Sequence, residues 1–477
     1  VTVEENENSV LADVIRPGVS RGLDFVTLEE LRKRTGVNPE EILKFATGEM
    51  LCNSLDTDAT EIGIIIEVDN GSYTLTVADN GTKELTLEEI RLIVDFERKA
   101  SSKRGLLRVT RGYLGNALKC IIGYSYALYE SSGVASQPII VESGHNQYGI
   151  CLKPDRITEI IESDVAVVPR EDNGYNTFTV KFPRQHTTKD SCELSDLLKD
   201  LISATAMVNP TREITFKFLD RETMMQDEAV FGCSQDTRGI RQETSILWYD
   251  TKQFTTLYQD FLKARPETQI KDFIALFRGF AGKKVVKQVL DELGKNCTQN
   301  HDSGGDSNVQ FFPATPIKDL SPHLVKRLFA IMKAKSKPIA QRSIPLVLGY
   351  VSESNFDKIR QQNGWERLRY VLEKDNHVSC PNQYDHRNPC NSPDHVEYPY
   401  LIEIAIFDRK PNDTKGLQVY QCVNFMASFE DIFSRIFDTS YRLGRAGVTR
   451  QSPVTVVVHL VCPVLKWLNY GKSGLDE

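Results

Sequence analysis

The stretch FATGEMLCNSLDTDA, residues 45–59, decides how the rest of the chain is read. Glu49, Asn53 and Asp56 recur at i, i+4 and i+7 between apolar Phe45, Met50, Leu51 and Leu55, a spacing that predicts a helix with all three polar groups along one stripe. Four residues apart, a glutamate can orient a water as general base while an asparagine oxygen completes the octahedral shell of a magnesium ion. A solvated helix face gives the same spacing, so the meaning of the stretch depends on its neighbours.

Two further constellations follow it. In YTLTVADNGTKEL, residues 73–85, Tyr73, Leu75 and Val77 alternate with Thr74, Thr76 and Ala78 as in a half-buried strand, which breaks at Asp79-Asn80-Gly81. A carboxylate at a strand end can accept an adenine amino proton, although Asn-Gly is also a hairpin-turn signal. In SSKRGLLRVTRGYLGNALK, residues 101–119, Lys103, Arg108 and Arg111 lead into Gly112 and Gly115, ahead of an apolar run from Leu118 to Leu128. A glycine loop that opens a helix presents backbone N–H groups to phosphate.

In this order and spacing the pieces resemble the Bergerat-type ATPase fold of the GHKL superfamily, and within it the B subunit of type IIB DNA topoisomerases (topoisomerase VI). The family pattern E-x-x-x-N-S-L-D-A, D-N-G-P-G, S-K and R-G-Q-Q-G-I-G is met by Glu49, Asn53-Ser54-Leu55-Asp56, Asp79-Asn80-Gly81, Ser102-Lys103, and Arg111-Gly112 with Gly115. Lys83 replaces the second glycine of D-N-G-P-G, Tyr113-Leu114 replace the paired glutamines, and Ala117 replaces the last glycine. No backbone donor is lost, but a Cβ at Lys83 and Ala117 narrows the allowed φ. The resemblance implies ATP and Mg²⁺ as ligands, Glu49 as the catalytic base and Asn53 as the magnesium ligand. It implies nucleotide contacts from Asn53, Asp56, Asp79, Gly81, Ser102, Lys103, Arg111, Gly112, Tyr113, Leu114, Gly115, Asn116 and Thr177.

At 477 residues the chain suffices for two to four domains, and 40% hydrophobic with 26% charged residues is ordinary for soluble protein. No apolar run approaches the length of a spanning helix, and the start VTVEENENSV is acidic and polar, so neither a membrane span nor a signal peptide is expected. Ten dispersed cysteines point to reduced thiols, and the expected location is cytoplasmic, associated with the nucleoid. A net charge of −7 requires any DNA contact to come from local patches, for which Arg278, Lys283, Lys284 and Lys287, or Lys333, Lys335, Lys337 and Arg342, are the basic segments.

The expected architecture is α+β and multidomain: an N-terminal arm over 1–20, a Bergerat-type α/β sandwich over 21–250, three helices over 251–300 resembling a helix-two-turns-helix insert, and an α+β layer over 301–477 resembling a transducer domain. Within the last, SPHLVKRLFAIMKAK reads as a helix and SIPLVLGYV, YPYLIEIAIFD, LQVYQCVNFMA and SPVTVVVHLVCPVL as strands, with a helix around Phe429 to Leu443. Pro399-Tyr400-Leu401-Ile402-Glu403, Val423-Asn424-Phe425 and Val458-His459-Leu460 stand in the order of the family's transducer strands, and Lys472 falls where the resemblance implies a catalytic lysine that reports the γ-phosphate. Only five residues follow Lys472, where the family continues into a long helix, so a truncated polypeptide is expected.

One cluster lies outside the family pattern. His377, Cys380, His386, Cys390 and His395 crowd into the run between Asn376 and Val396, far above even spreading of ten cysteines and eight histidines. Soft N and S ligands on a proline-rich loop suit Zn²⁺, but the spacing fits no standard finger and lacks the usual closely spaced cysteine pairs, so a plain polar insertion is the preferred reading and zinc the alternative. The leading expectation is an ATP-hydrolysing subunit that forms an ATP-dependent homodimer, gates DNA and drives a separate A-type DNA-cleaving subunit, without membrane contact. The alternatives are a GHKL clamp coupled to a nuclease in genome defence, or a nucleotide-sensing scaffold.

Overall fold

The computed structural model describes residues 22–97, 106–109, 116–186, 189–232, 243–295, 311–379, 395–411, 413, 415–428 and 444–465. Its first sheet grows from a hairpin of β1 (Glu61–Asp69) and β2 (Ser72–Asp79). The pair closes on Asn70 at φ 49° and Gly71 at φ 70°, the two left-handed positions that a two-residue hairpin turn requires. Alternation then sets the faces: Ile62, Ile64, Ile66 and Val68 with Tyr73, Leu75 and Val77 all point to one buried side.

β3 (Ile139–Ser143), β4 (Asn146–Asp155), β5 (Ile160–Pro169), β6 (Asn176–Pro183), β7 (Glu213–Asp220) and β8 (Met225–Phe231) complete an eight-stranded sheet in the order β5-β4-β3-β6-β2-β1-β7-β8. Every neighbouring pair is antiparallel except β1 with β7. The helical layer on its buried face contains α2 (Ile42–Leu55), α4 (Ala117–Ser131) and α5 (Ser191–Met207), flanked by α1 (Leu28–Thr35) and α3 (Leu87–Ile93). Because α2 is apolar nearly all round, it is buried between the sheet, α4 and α5 rather than lying on the surface. α4 approaches the 3-10 turn Gly22–Phe25 so closely that a Cβ at Gly123 would lie 1.7 Å from the Phe25 carbonyl oxygen.

The second sheet has the order β12-β11-β13-β10-β9, from β9 (Arg367–Ser379), β10 (Val396–Asp408), β11 (Gln418–Val423), β12 (Met426–Ala427) and β13 (Val454–Val461). Its core is shared with α6 (Thr251–Ala264), α7 (Ile270–Ala275), α8 (Lys283–Gly294), α9 (Pro322–Lys335), α10 (Ile344–Leu348) and α11 (Glu353–Gln362). Phe254 anchors that core, stacking on Phe329 at 4.8 Å and meeting Phe273 edge-on at 5.9 Å. The expected α+β class and α/β sandwich are therefore present. No helix among the described residues is long and apolar enough to cross a membrane.

SIPLVLGYV is a correction, since Ile344–Leu348 is helical and not a strand. Its apolar run is short enough to suit either state; Pro345 in the first turn starts the helix, and Gly349 at φ 81° ends it. The helix expected around Phe429 to Leu443 lies outside the described residues.

Candidate functional site

Asp79 ends β2 and is 8% exposed. Ser54, in the last turn of α2, donates to its Oδ2 at 2.7 Å, and the Gly81 N–H donates to its Oδ1 at 3.0 Å. Two donors thus fix the carboxylate at the strand end. Gly81 is required for this approach, because an added Cβ would come within 2.8 Å of Asp79 Oδ1 and 3.0 Å of Thr57 Oγ1. Asn80 staples the same corner to β1, its Oδ1 accepting from the N–H groups of Thr60 at 2.8 Å and Glu61 at 3.0 Å.

Across the ladder Asp79 faces Asn176, and Thr177 faces Ala78 one position back. The side-chain amide of Asn176 is engaged on both of its polar atoms. It donates to the Gly81 carbonyl at 2.9 Å and accepts from Ser143 Oγ at 2.5 Å, while Ser143 Oγ also accepts the Leu85 N–H at 2.8 Å. The segment after the Asp-Asn-Gly corner is thereby tied to β3 and β6.

The expected stripe on α2 is only partly formed. Glu49 is 3% exposed, Asn53 is exposed, and Asp56 is the cap residue beyond the helix end, so the three polar groups sit at different depths. The carboxylate of Glu49 lies close enough to Cys120 on α4 to act electrostatically on its thiol, which burial first, and Glu49 with it, pushes up to about 12. Cys120 is one turn into α4, which packs against α2. There Asn116, the N-cap residue, is 3% exposed and its Nδ2 finds no hydrogen-bond partner among the described residues. A buried orphan donor at a helix N-terminus fits an anionic oxygen.

Ser102, Lys103, Arg111, Gly112, Tyr113, Leu114, Gly115 and Lys472 lie outside the described residues, as do Cys380, His386 and Cys390 of the proposed zinc cluster. His377 is on β9, exposed, with its ring 5.1 Å from that of Tyr398. No group of three His, Cys, Asp or Glu placed to hold a metal is found among the described residues. The two basic segments differ. Lys283, Lys284 and Lys287 are exposed on α8, whereas Lys333 donates to the Tyr249 and His395 carbonyls and Lys335 pairs with Glu292 at 2.6 Å.

The strands likened to a transducer bring Glu403 and His459 into register on β10 and β13, both fully buried. Phe425 N–H donates to His459 Nε2 at 3.2 Å, so the imidazole proton is on Nδ1, which donates to Glu403 Oε2 at 2.9 Å. The carboxylate also accepts from the N–H groups of Val351 and Ser352, both at 2.9 Å, and from Tyr370 OH at 2.8 Å. The turn that carries Phe425 reaches α5 as well, because Asn209 Nδ2, just beyond the helix, donates to the Phe425 carbonyl at 2.8 Å and the Ala427 N–H donates to Thr205 Oγ1 at 3.3 Å. Sequence reasoning missed Ser54 as the partner of Asp79 and had no signal for the contacts of Glu403.

Comparison with known proteins finds no matching family model and no curated protein. Among solved structures the chain is similar to the N-terminal domain of a DNA repair protein, with 11% identity over 92% of this chain and 88% of that one and a TM-score of 0.38. It is similar to the B subunit of DNA gyrase from Myxococcus xanthus, with 10% identity over 98% and 90% and a TM-score of 0.36. The topoisomerase IV ATP-binding domain of Francisella tularensis follows with 11% identity over 94% and 86% and a TM-score of 0.34. With likeness this low, a functional reading has to stand on the residues of the chain itself.

Proposed function

We propose that this chain binds and hydrolyses ATP as the GHKL-type subunit of a type IIB topoisomerase-like complex, dimerising on Mg-ATP to gate DNA and to drive a separate DNA-cleaving subunit. The observation that carries the nucleotide reading is Asp79, a carboxylate at a strand end, fixed by Ser54 and Gly81. An acceptor so held suits the amino group of adenine, with Thr177 beside it on β6.

The opposite end of the site is suited to phosphate. Asn116 offers a buried donor there, on the helix that packs against the one carrying Glu49. In this reading Glu49 accepts a proton from the attacking water as its oxygen bonds to the terminal phosphorus and the bond from that phosphorus to the bridging oxygen breaks, releasing ADP and phosphate. Exposed Asn53 would hold Mg²⁺ through its amide oxygen, and the ion would supply charge neutralisation of the phosphates.

Calorimetric titration with ATP, followed by a phosphate-release assay, tests this. Asp79→Asn should weaken ATP binding by about tenfold to a hundredfold through loss of a charged acceptor. Glu49→Ala should keep the affinity and lose turnover. Absence of ATP binding by the wild-type chain would overturn the reading.

A further inference from the structure

A cleft of about 560 Å³ opens at the end of α4 remote from Asn116, where the last turns of that helix meet the 3-10 turn Gly22–Phe25, the start of α1 and the end of β4. Small-molecule sites span roughly 300–1,000 Å³. Leu23, Val26, Leu28, Ala127 and Pro154 give the cleft an apolar lining. Its walls are fixed by the fold itself. The 3-10 turn lies so close to α4 that a Cβ at Gly123 would meet the Phe25 carbonyl oxygen, Thr27 Oγ1 donates to the Leu23 carbonyl at 3.0 Å, and Asp155 Oδ1 accepts the Ile157 N–H at 2.8 Å in the turn that carries Arg156. A site formed in advance has less order to impose when it binds.

The charged groups of the lining do not balance. Glu29 and Glu130 bring two carboxylates, and Arg156 brings one guanidinium. Arg156 Nη2 donates to Glu130 Oε1 at 2.7 Å and Glu29 meets Lys33 Nζ at 2.9 Å, but all four side chains are exposed, and ion pairs of this kind contribute little and are readily exchanged. The Tyr126 hydroxyl, also in the lining, has no hydrogen-bond partner among the described residues. Burial and then the Glu130 charge raise its pKa against the opposing charge of Arg156, so both members of that ion pair are within electrostatic reach of the hydroxyl. An apolar cleft with an excess carboxylate and an unengaged hydroxyl complements a ligand that has an apolar body and one positive charge.

We propose that this cleft is a binding site for a small organic cation of the alkylamine or arylalkylamine class, whose ammonium takes the place of Arg156 on Glu130 and donates to the Tyr126 hydroxyl while its apolar part lies on Leu23, Leu28 and Ala127. The proposal is independent of the ATP reading, because it uses none of the same residues and its test needs no nucleotide.

The test uses the full chain with phenethylamine as the probe, beside its neutral isostere phenethyl alcohol and the anion phenylacetate, all measured by calorimetry. The amine should bind about tenfold or more tighter than either of the others. Glu130→Gln should weaken the amine by about tenfold and Tyr126→Phe by about threefold, whereas Arg156→Gln should tighten it by about threefold or more, because the competing guanidinium is gone. Circular dichroism and thermal melting check the fold of each variant.

Equal affinity for the three compounds, or no binding of the amine by the wild-type chain, would overturn the proposal without recourse to any variant. Loss of amine affinity in Arg156→Gln would do the same, since it makes the guanidinium a support of the site and not a competitor. A nucleotide-free dimer, seen by light scattering and dissolved by Leu28→Glu, would assign the cleft to a second copy of the chain and overturn the proposal as well.

Discussion

Glu403→Gln is the most informative single change in the second sheet. The native carboxylate accepts four hydrogen bonds in a fully buried setting, from Val351, Ser352, Tyr370 and His459. An amide supplies one oxygen and turns an NH₂ group toward donors, so about two of the four lose their partner. At roughly 1–3 kcal/mol for each buried unpaired donor, and with relief of the charge burial set against it, the net cost is about 3–5 kcal/mol. Part of the loop strain is released, since Ser352 sits at φ 81° and ψ 152°, a region that non-glycine residues enter at a cost of about 1–3 kcal/mol. For a unit of this size the midpoint should fall by about 8–15 °C in differential scanning calorimetry.

The pH dependence follows from the same bonds. Burial pushes the Glu403 carboxyl up, but His459 and the Val351 and Ser352 amides outweigh it and hold the pKa below the ordinary value. A depressed folded pKa gives stability that is complete above the unfolded value near ~4.3 and is lost as pH falls through the lower folded value. Wild-type protein should therefore lose extra stability below pH ~4, and the variant should not. A midpoint lowered by less than about 2 °C, or the same acid limb in both proteins, would refute the reasoning.

Gly123→Ala should cost about 1–3 kcal/mol or more, because its Cβ would meet the Phe25 carbonyl oxygen, and urea unfolding measures it. Joint reversal of Lys283, Lys284 and Lys287 to glutamate should weaken DNA binding and reduce the slope of log K against log salt by up to about 2.7, whereas Lys333→Glu should destabilise the fold through its lost carbonyl contacts. Lys472→Ala should spare ADP affinity but weaken dimerisation induced by a non-hydrolysable ATP analogue, as followed by light scattering.

Sequence patterning made the first sheet legible where burial is one-sided. The alternation of Tyr73, Leu75 and Val77 and the Asn70-Gly71 turn correspond directly to β2 and its hairpin. It failed where local signals compete. Ile344–Leu348 is an apolar run of strand length whose proline and glycine decide for helix. β9 escaped because one of its faces shows Arg367, Arg369, Glu373 and Asp375 to solvent, which reads as a polar loop. At the site, Glu49, Asn53 and Asp79 are visible as a pattern, but the Ser54 to Asp79 bond spans 25 positions and the His459 to Glu403 bond 56, distances over which periodicity carries no information.

The two-residue turn at Asn424 and Phe425 has a mechanical consequence. Both residues are left-handed, at φ 49° and 65°, and Asn424 is pinned on both sides by Cys462, whose N–H reaches its Oδ1 and whose carbonyl accepts its Nδ2, each at 2.9 Å. Little torsional slack is left in such a joint, so displacement of α5 passes into the second sheet as a tilt about the turn. The order β11-β13-β10-β9 places the far strand three spacings away, about 14 Å at roughly 4.8 Å each. By simple leverage, a tilt of about 10° at α5 becomes a stroke of ~2.5 Å at β9, the strand from which the Cys/His-rich segment departs.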